Sequence, residues 1–147
     1  SVKCESLPLS PFFNPNPLKM PVDRLKELLA PEPSGVFMLG QRTSSKSIEV
    51  EEVGYAPDHT CQPPSIYSWA AQALRQEAFT LGMSPHKAAP SILDGWGGAC
   101  NAVYWHALDW AMKRKRPVVF LHVGTGIDRA HEIDATKKLL TAFSRYC

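Results

Sequence analysis

The chain has 147 residues, of which 44% are hydrophobic and 20% charged, and its net charge is +2. That length suits one domain with a real core and leaves little room for two, so a single unit over residues 1–147 is expected. So small a charge gives no reason to expect a nucleic-acid or acidic-membrane partner, and no apolar run approaches the roughly 18 residues of a membrane span. The basic run at 113–116 follows a predicted helix, where it complements the negative end of the helix dipole.

In chain order, residues 2–9 alternate well enough for a short strand (Val2, Cys4, Leu7, Leu9), and the proline-rich stretch 10–21 is a loop. Pro21 suits a first helical turn, and Val22, Leu25, Leu28 and Leu29 form one apolar helix face. Residues 36–39 are a continuous apolar run of the buried-strand type. Residues 40–47 look turn-like, 47–55 strand-like and 56–64 loop-like. A helix is expected over 65–81, a short strand over 87–92, and a second long helix over 99–114 after a glycine-rich turn. Residues 117–123 are the clearest strand, and a last helix covers 133–146. Strands and helices alternate, which predicts an α/β fold with a parallel or mixed sheet covered on both faces.

Four cysteines are spread widely (Cys4, Cys61, Cys100, Cys147), and none has the CxxC spacing of a metal site. The metal reading is therefore weak. A cytoplasmic location is the expectation, with secretion left open by the even cysteine count and by Ser1 as an unusual first residue.

Three residues can carry chemistry. Cys100 opens a predicted helix, where unsatisfied backbone N–H groups and the dipole favour a thiolate and could receive an oxyanion. Its bland alternatives are a small buried hydrophobe or a disulfide partner. His122 ends an apolar run, where a general base must be held rigidly, although a satisfied core histidine is the commoner case at such a position. Glu51 lies beside Glu52 on a strand, so only one of these carboxylates can face a given side.

These residues gain meaning together. The segment GQRTSSKSIEVEEVGY from Gly40 resembles the GQAGGR…I-x-L-E-R-V-A stretch of type I pyroglutamyl peptidases, with the same spacing between Gln41 and Glu51. SILDGWGGACNAVYWHAL resembles that family's S-x-D-A-G-x-Y-L-C-N-x-x-Y-Y motif, with Asp94 before Cys100, Asn101 after it and Tyr104 beyond. FLHVG resembles F-I-H-V-P and matches His122 to a catalytic histidine, and VKCESLPL resembles V-x-x-E-x-L-P-V. The likeness runs in order through almost the whole chain.

The resemblance implies a three-layer α/β/α sandwich with a mostly parallel central sheet. It also implies a cysteine peptidase, with no metal and no cofactor, that removes N-terminal pyroglutamate from peptides through a thioester. Cys100 would be the nucleophile, His122 the base and Glu51 its orienting carboxylate, with Gln41 and Ala99 binding substrate. The family's first strand and its G-F-G-P-F-G-G loop have no counterpart ahead of residues 2–9, so the sheet is expected to lack that strand. Its edge would then be open to a homo-oligomer or a partner chain. Further departures are Gly97-Gly98-Ala99 before the nucleophile, Arg42-Thr43 after Gln41, Gly124 in place of proline, and a short stretch between Glu51 and Cys100. They motivate an alternative, a catalytically inactive binding protein on the same scaffold.

Overall fold

The computed structural model describes residues 3–5, 7, 19–42, 45–58, 60–87 and 97–147. Its elements are α1 (Lys19–Leu29), β1 (Val36–Arg42), β2 (Glu49–Glu51), β3 (Val53–Tyr55), β4 (Ser65–Tyr67), α2 (Trp69–Ala73), α3 (Arg75–Thr80), β5 (Ser84–His86), α4 (Gly97–Arg114), β6 (Val118–Gly124) and α5 (Arg129–Ser144). The central sheet has the order β1-β6-β2-β5, and β3 pairs with β4 in a separate ribbon. β1 runs parallel to β6 and β2 parallel to β5, while β2 is antiparallel to β6. The sheet is therefore mostly parallel, as expected.

Strand alternation sorts the core into two layers. On one side Val118 and Phe120 of β6 and Met38 of β1 pack against Val22, Leu25 and Leu29 of α1 and Tyr104 and Leu108 of α4. On the other, Val119 and Leu121 pack against Leu74, Ala78, Leu139 and Phe143 of the remaining helices. Val119, Leu121 and Leu139 are fully buried, each such aliphatic side chain contributing about 1.5–3 kcal/mol.

Several expectations from the sequence need correction. Residues 3–5 and 7 form no strand; the rest of 2–9 lies outside the described residues. Leu7 instead rests on the α1/α4 core and Glu5 pairs with Arg24 of α1, so the alternation served an extended segment without a strand partner. β1 runs on through Gly40, Gln41 and Arg42, which looked like a turn, because each finds a partner on β6. The stretch 47–55 is two strands in different sheets, broken at Glu52.

The helix expected over 65–81 begins later. Ser65–Tyr67 pairs antiparallel with β3, and the Ser68 hydroxyl caps α2 by accepting from the Ala71 N–H. A break at Leu74 then separates α2 from α3. The short strand lies at Ser84–His86 rather than 87–92, of which 88–92 are outside the described residues. α4 starts two residues before Ala99, and α5 starts four before Ile133, capped by Asp128.

Candidate active site

The site forms where the carboxyl end of β6 meets β2, β5 and the first turn of α4. Local sequence explains how α4 is brought there. Asn101 acts like a strand neighbour for Tyr55: its Oδ1 accepts from the Tyr55 N–H and its Nδ2 donates to the Tyr55 C=O, both at 2.8 Å. Tyr104 donates its hydroxyl to the Glu51 C=O at 2.7 Å and stacks on Phe120. Burial pushes the Tyr104 phenol upward, which keeps it a neutral donor. Gly54 lets the two backbones close together, because a Cβ there would lie 3.0 Å from the Trp105 Cα and N. The helix carrying Cys100 is thus tied to β3 through Asn101 and to Glu51 of β2 through Tyr104.

Cys100 is half-buried in the first turn of α4, whose leading N–H groups have no intrahelical partner. Its side chain lies near enough to His122 to favour a proton on the imidazole. His122 Nδ1 donates to Glu51 Oε1 at 2.7 Å, and the Glu51 side chain is only 4% exposed. Burial alone would lower the His122 pKa. The interactions with Cys100 and Glu51, including the charges of both, outweigh it and raise the imidazole to about 9. All four cysteines are free thiols, so Cys100 is not held in a disulfide.

The neighbouring carboxylate behaves differently. Glu52 is also buried, but it pairs with Arg75 and lies 3.9 Å from Lys87, away from His122. Adjacent strand positions point to opposite sides, so of the two only Glu51 reaches the imidazole.

Four residues of the site carried no signal in the sequence. His86 Nδ1 lies 2.8 Å and 2.9 Å from the two Glu51 oxygens, across the register pair formed by β2 and β5. Arg42 Nη1 lies 3.1 Å from His86 Nε2 and donates to Glu49 Oε2 at 2.9 Å. Ser45 donates to the other Glu49 oxygen at 3.0 Å. Burial would raise the Glu49 pKa, but the hydrogen bonds from Ser45 and Arg42 and the Arg42 charge act against it, and it lies below the ordinary carboxylate value. Gly124 makes this packing feasible, since a Cβ there would sit 2.1 Å from the Ser45 carbonyl oxygen. A proline at that position would collide in the same way. Only the pairing of β2 with β5, three residues long, brings His86 beside Glu51, and no local pattern announces it.

Glu49, Glu51 and His86 each offer a ligand atom within 4.8 Å of the others. The Arg42 guanidinium already occupies this corner as the counter-ion of Glu49, so the grouping is an ion-pair network.

Gln41 is exposed and paired in register with Val123, whereas Gly40 is paired with His122. By strand alternation its side chain lies on the α5 side of the sheet, with Phe37, and the structure does not bring it to Cys100. Ala99 is half-buried beside Cys100 in the first turn of α4. Asp94 lies outside the described residues. A cleft of about 420 Å³ bounded by Tyr67, Trp69, Met112 and Arg116 lies at the opposite end of β6 and contains none of these groups.

No protein-family model matches the sequence, and no curated protein does. Solved structures do. A mutant pyrrolidone carboxyl peptidase from the hyperthermophile Pyrococcus furiosus superposes with a TM-score of 0.71 at 14% identity, over 95% of this chain and 79% of that one. The pyrrolidone carboxyl peptidase of Thermococcus litoralis gives 0.67 at 17% identity, covering 88% and 74%. Pyroglutamyl peptidase I of Bacillus amyloliquefaciens gives 0.65 at 15%, covering 88% and 75%. The chain therefore has the fold of the pyrrolidone carboxyl peptidases, also called pyroglutamyl peptidases I, over most of its length.

Proposed function

We propose that this chain is a cysteine peptidase that removes an N-terminal pyroglutamyl residue from peptides, using Cys100, His122 and Glu51. The observation that carries the reading is the His122–Glu51 hydrogen bond at the sheet's carboxyl end, with Cys100 close enough to act on the same imidazole. Similarity to pyrrolidone carboxyl peptidases supports the substrate class.

In this mechanism the Cys100 sulfur attacks the pyroglutamyl carbonyl carbon after its proton has passed to His122. The oxygen gains a negative charge, which free N–H groups of the α4 first turn are suited to receive. The C–N bond then breaks, and His122 gives its proton to the departing amine. Water, deprotonated by His122, attacks the thioester, releasing pyroglutamate and restoring the thiol. Glu51 stays ionised throughout, holding Nδ1 protonated and leaving Nε2 for the transfer. Ala99, beside the nucleophile, would bound the acyl pocket with its small side chain.

A second reading, a binding protein without peptidase activity on the same scaffold, is favoured by the placement of Gln41 away from Cys100. Release of a fluorophore from a pyroglutamyl amide separates the two. The native chain should turn the substrate over, and Cys100→Ala should be slower by about a thousandfold or more. No turnover by folded, reduced native protein would leave the binding reading in its place.

A further inference from the structure

We infer that His86, backed by Arg42, is a positioning residue for the Cys100–His122–Glu51 series: a second imidazole that clamps the carboxylate from the side opposite the base. The inference rests on the peptidase reading for its kinetic form, but the geometry beneath it is independent of substrate.

The argument follows from which groups can donate. An ionised carboxylate only accepts, so each ring nitrogen facing Glu51 must carry a proton. That holds for Nδ1 of His122 at 2.7 Å and for Nδ1 of His86 at 2.8 Å and 2.9 Å. A guanidinium only donates, so His86 Nε2, 3.1 Å from Arg42 Nη1, must accept. His86 is therefore held as the neutral tautomer protonated on Nδ1. The polar series then alternates without conflict: Ser45 and Arg42 donate to Glu49, Arg42 donates to His86, and His86 and His122 donate to Glu51.

Three consequences bear on the reaction. His86 reaches both Glu51 oxygens, which fixes the plane of a carboxylate that is 4% exposed. Because His86 is neutral, it adds a donor without neutralising the charge that steadies the His122 imidazolium. Arg42 supplies a fixed cation behind Nε2, so a second proton on His86 would face a like charge. The charged and titratable groups around His86 are Arg42 from β1, Glu49 and Glu51 from β2, and His122 from β6 through Glu51. The edge strand holding His86 is itself anchored, by the Glu52 N–H donating to the His86 carbonyl at 2.9 Å.

The test compares His86→Ala with His86→Asn. Asparagine can place an amide N–H near the position of Nδ1, and alanine cannot. The His86 side chain is 26% exposed on a short edge strand, so both variants should fold. For the pyroglutamyl amide, His86→Ala should lower kcat about 10- to 100-fold with KM within about threefold, the scale expected when a catalytic group is misplaced. His86→Asn should stay within about fivefold of native. Arg42→Leu, which keeps both imidazoles, should lower kcat by a smaller factor and sharpen its decline at acidic pH.

Alkylation of Cys100, corrected by a Cys100→Ala control for the other thiols, gives a readout that needs no substrate. Its rate at neutral pH should fall in His86→Ala and recover in His86→Asn. Native-like kcat and alkylation in His86→Ala would overturn the inference, as would equal losses in both variants. If native protein turns over no pyroglutamyl amide but alkylation follows the expected order, the clamp stands and only the substrate reading fails.

Discussion

The two faces of β6 use the same seven residues for opposite ends. Toward α2, α3 and α5, Val119 and Leu121 enter a dry apolar layer with Leu74, Leu139 and Phe143. Toward α1 and α4, the face starts equally dry at Val118 and Phe120, then turns polar at His122, where Glu51, His86 and Cys100 gather. Both faces bury apolar side chains, and only the end of one gathers polar groups. The difference teaches that a buried polar group persists where its neighbours complete its hydrogen bonds, and the cost of an incomplete set is what keeps such groups out of the rest of the core.

Breaking the polar end should give the largest effect. His122→Ala should reduce turnover about a thousandfold or more in steady-state kinetics, and denaturant titration should also show a lower midpoint, because the buried Glu51 loses a partner. Its neighbour on the dry face should affect stability alone. Leu121→Ala should cost about 2–5 kcal/mol of stability, and the folded fraction should keep its specific activity within a few-fold. Loss of activity in folded Leu121→Ala would dissolve the division between the faces.

The adjacent carboxylates sharpen the comparison within one strand. Glu51→Gln should slow turnover by about 10²–10⁴, because an amide cannot stabilise the imidazolium. Glu52→Gln, facing Arg75 and Lys87, should cost about 1 kcal/mol and leave kinetics near native. Comparable kinetic losses in the two would refute the assignment of their sides.

Next in size is the tether between α4 and β3. Asn101→Ala leaves the Tyr55 N–H and C=O without their partner, at about 1–3 kcal/mol, and should lower kcat by loosening the turn that carries Cys100. Hydrogen exchange at the Tyr55 amide is the direct check, and unchanged protection there would show that the tether is not needed.

The mildest probe is pH. His122 is raised from 6.5 to about 9, so its stabilising contribution is complete below 6.5 and is lost as pH rises through about 9. Glu49 is shifted down from 4.5, so its contribution is present above that value and lost as pH falls below it. Turnover should follow the same upper limit, declining near pH 9. A decline centred near 6.5 instead would mean that Glu51 and Cys100 do not hold the proton on the ring.

The sequence alone determined the alternation of strands and helices, the buried run of β6 and the helix whose first turn carries Cys100. These are local properties, legible from apolar periodicity, prolines and caps. The residues of the proposed triad were singled out through motif order, and the rule that Glu51 and Glu52 must diverge followed from strand geometry. Tertiary structure decided the rest. Ser65–Tyr67 became a strand because β3 offered it a partner, and Gln41 fell on the α5 side because β1 continued in register with β6. His86 and Arg42 joined Glu51 through pairings between segments far apart in the chain. Periodicity records which side of an element is apolar, but which polar groups meet across a sheet depends on register, and register is set only when the strands pair.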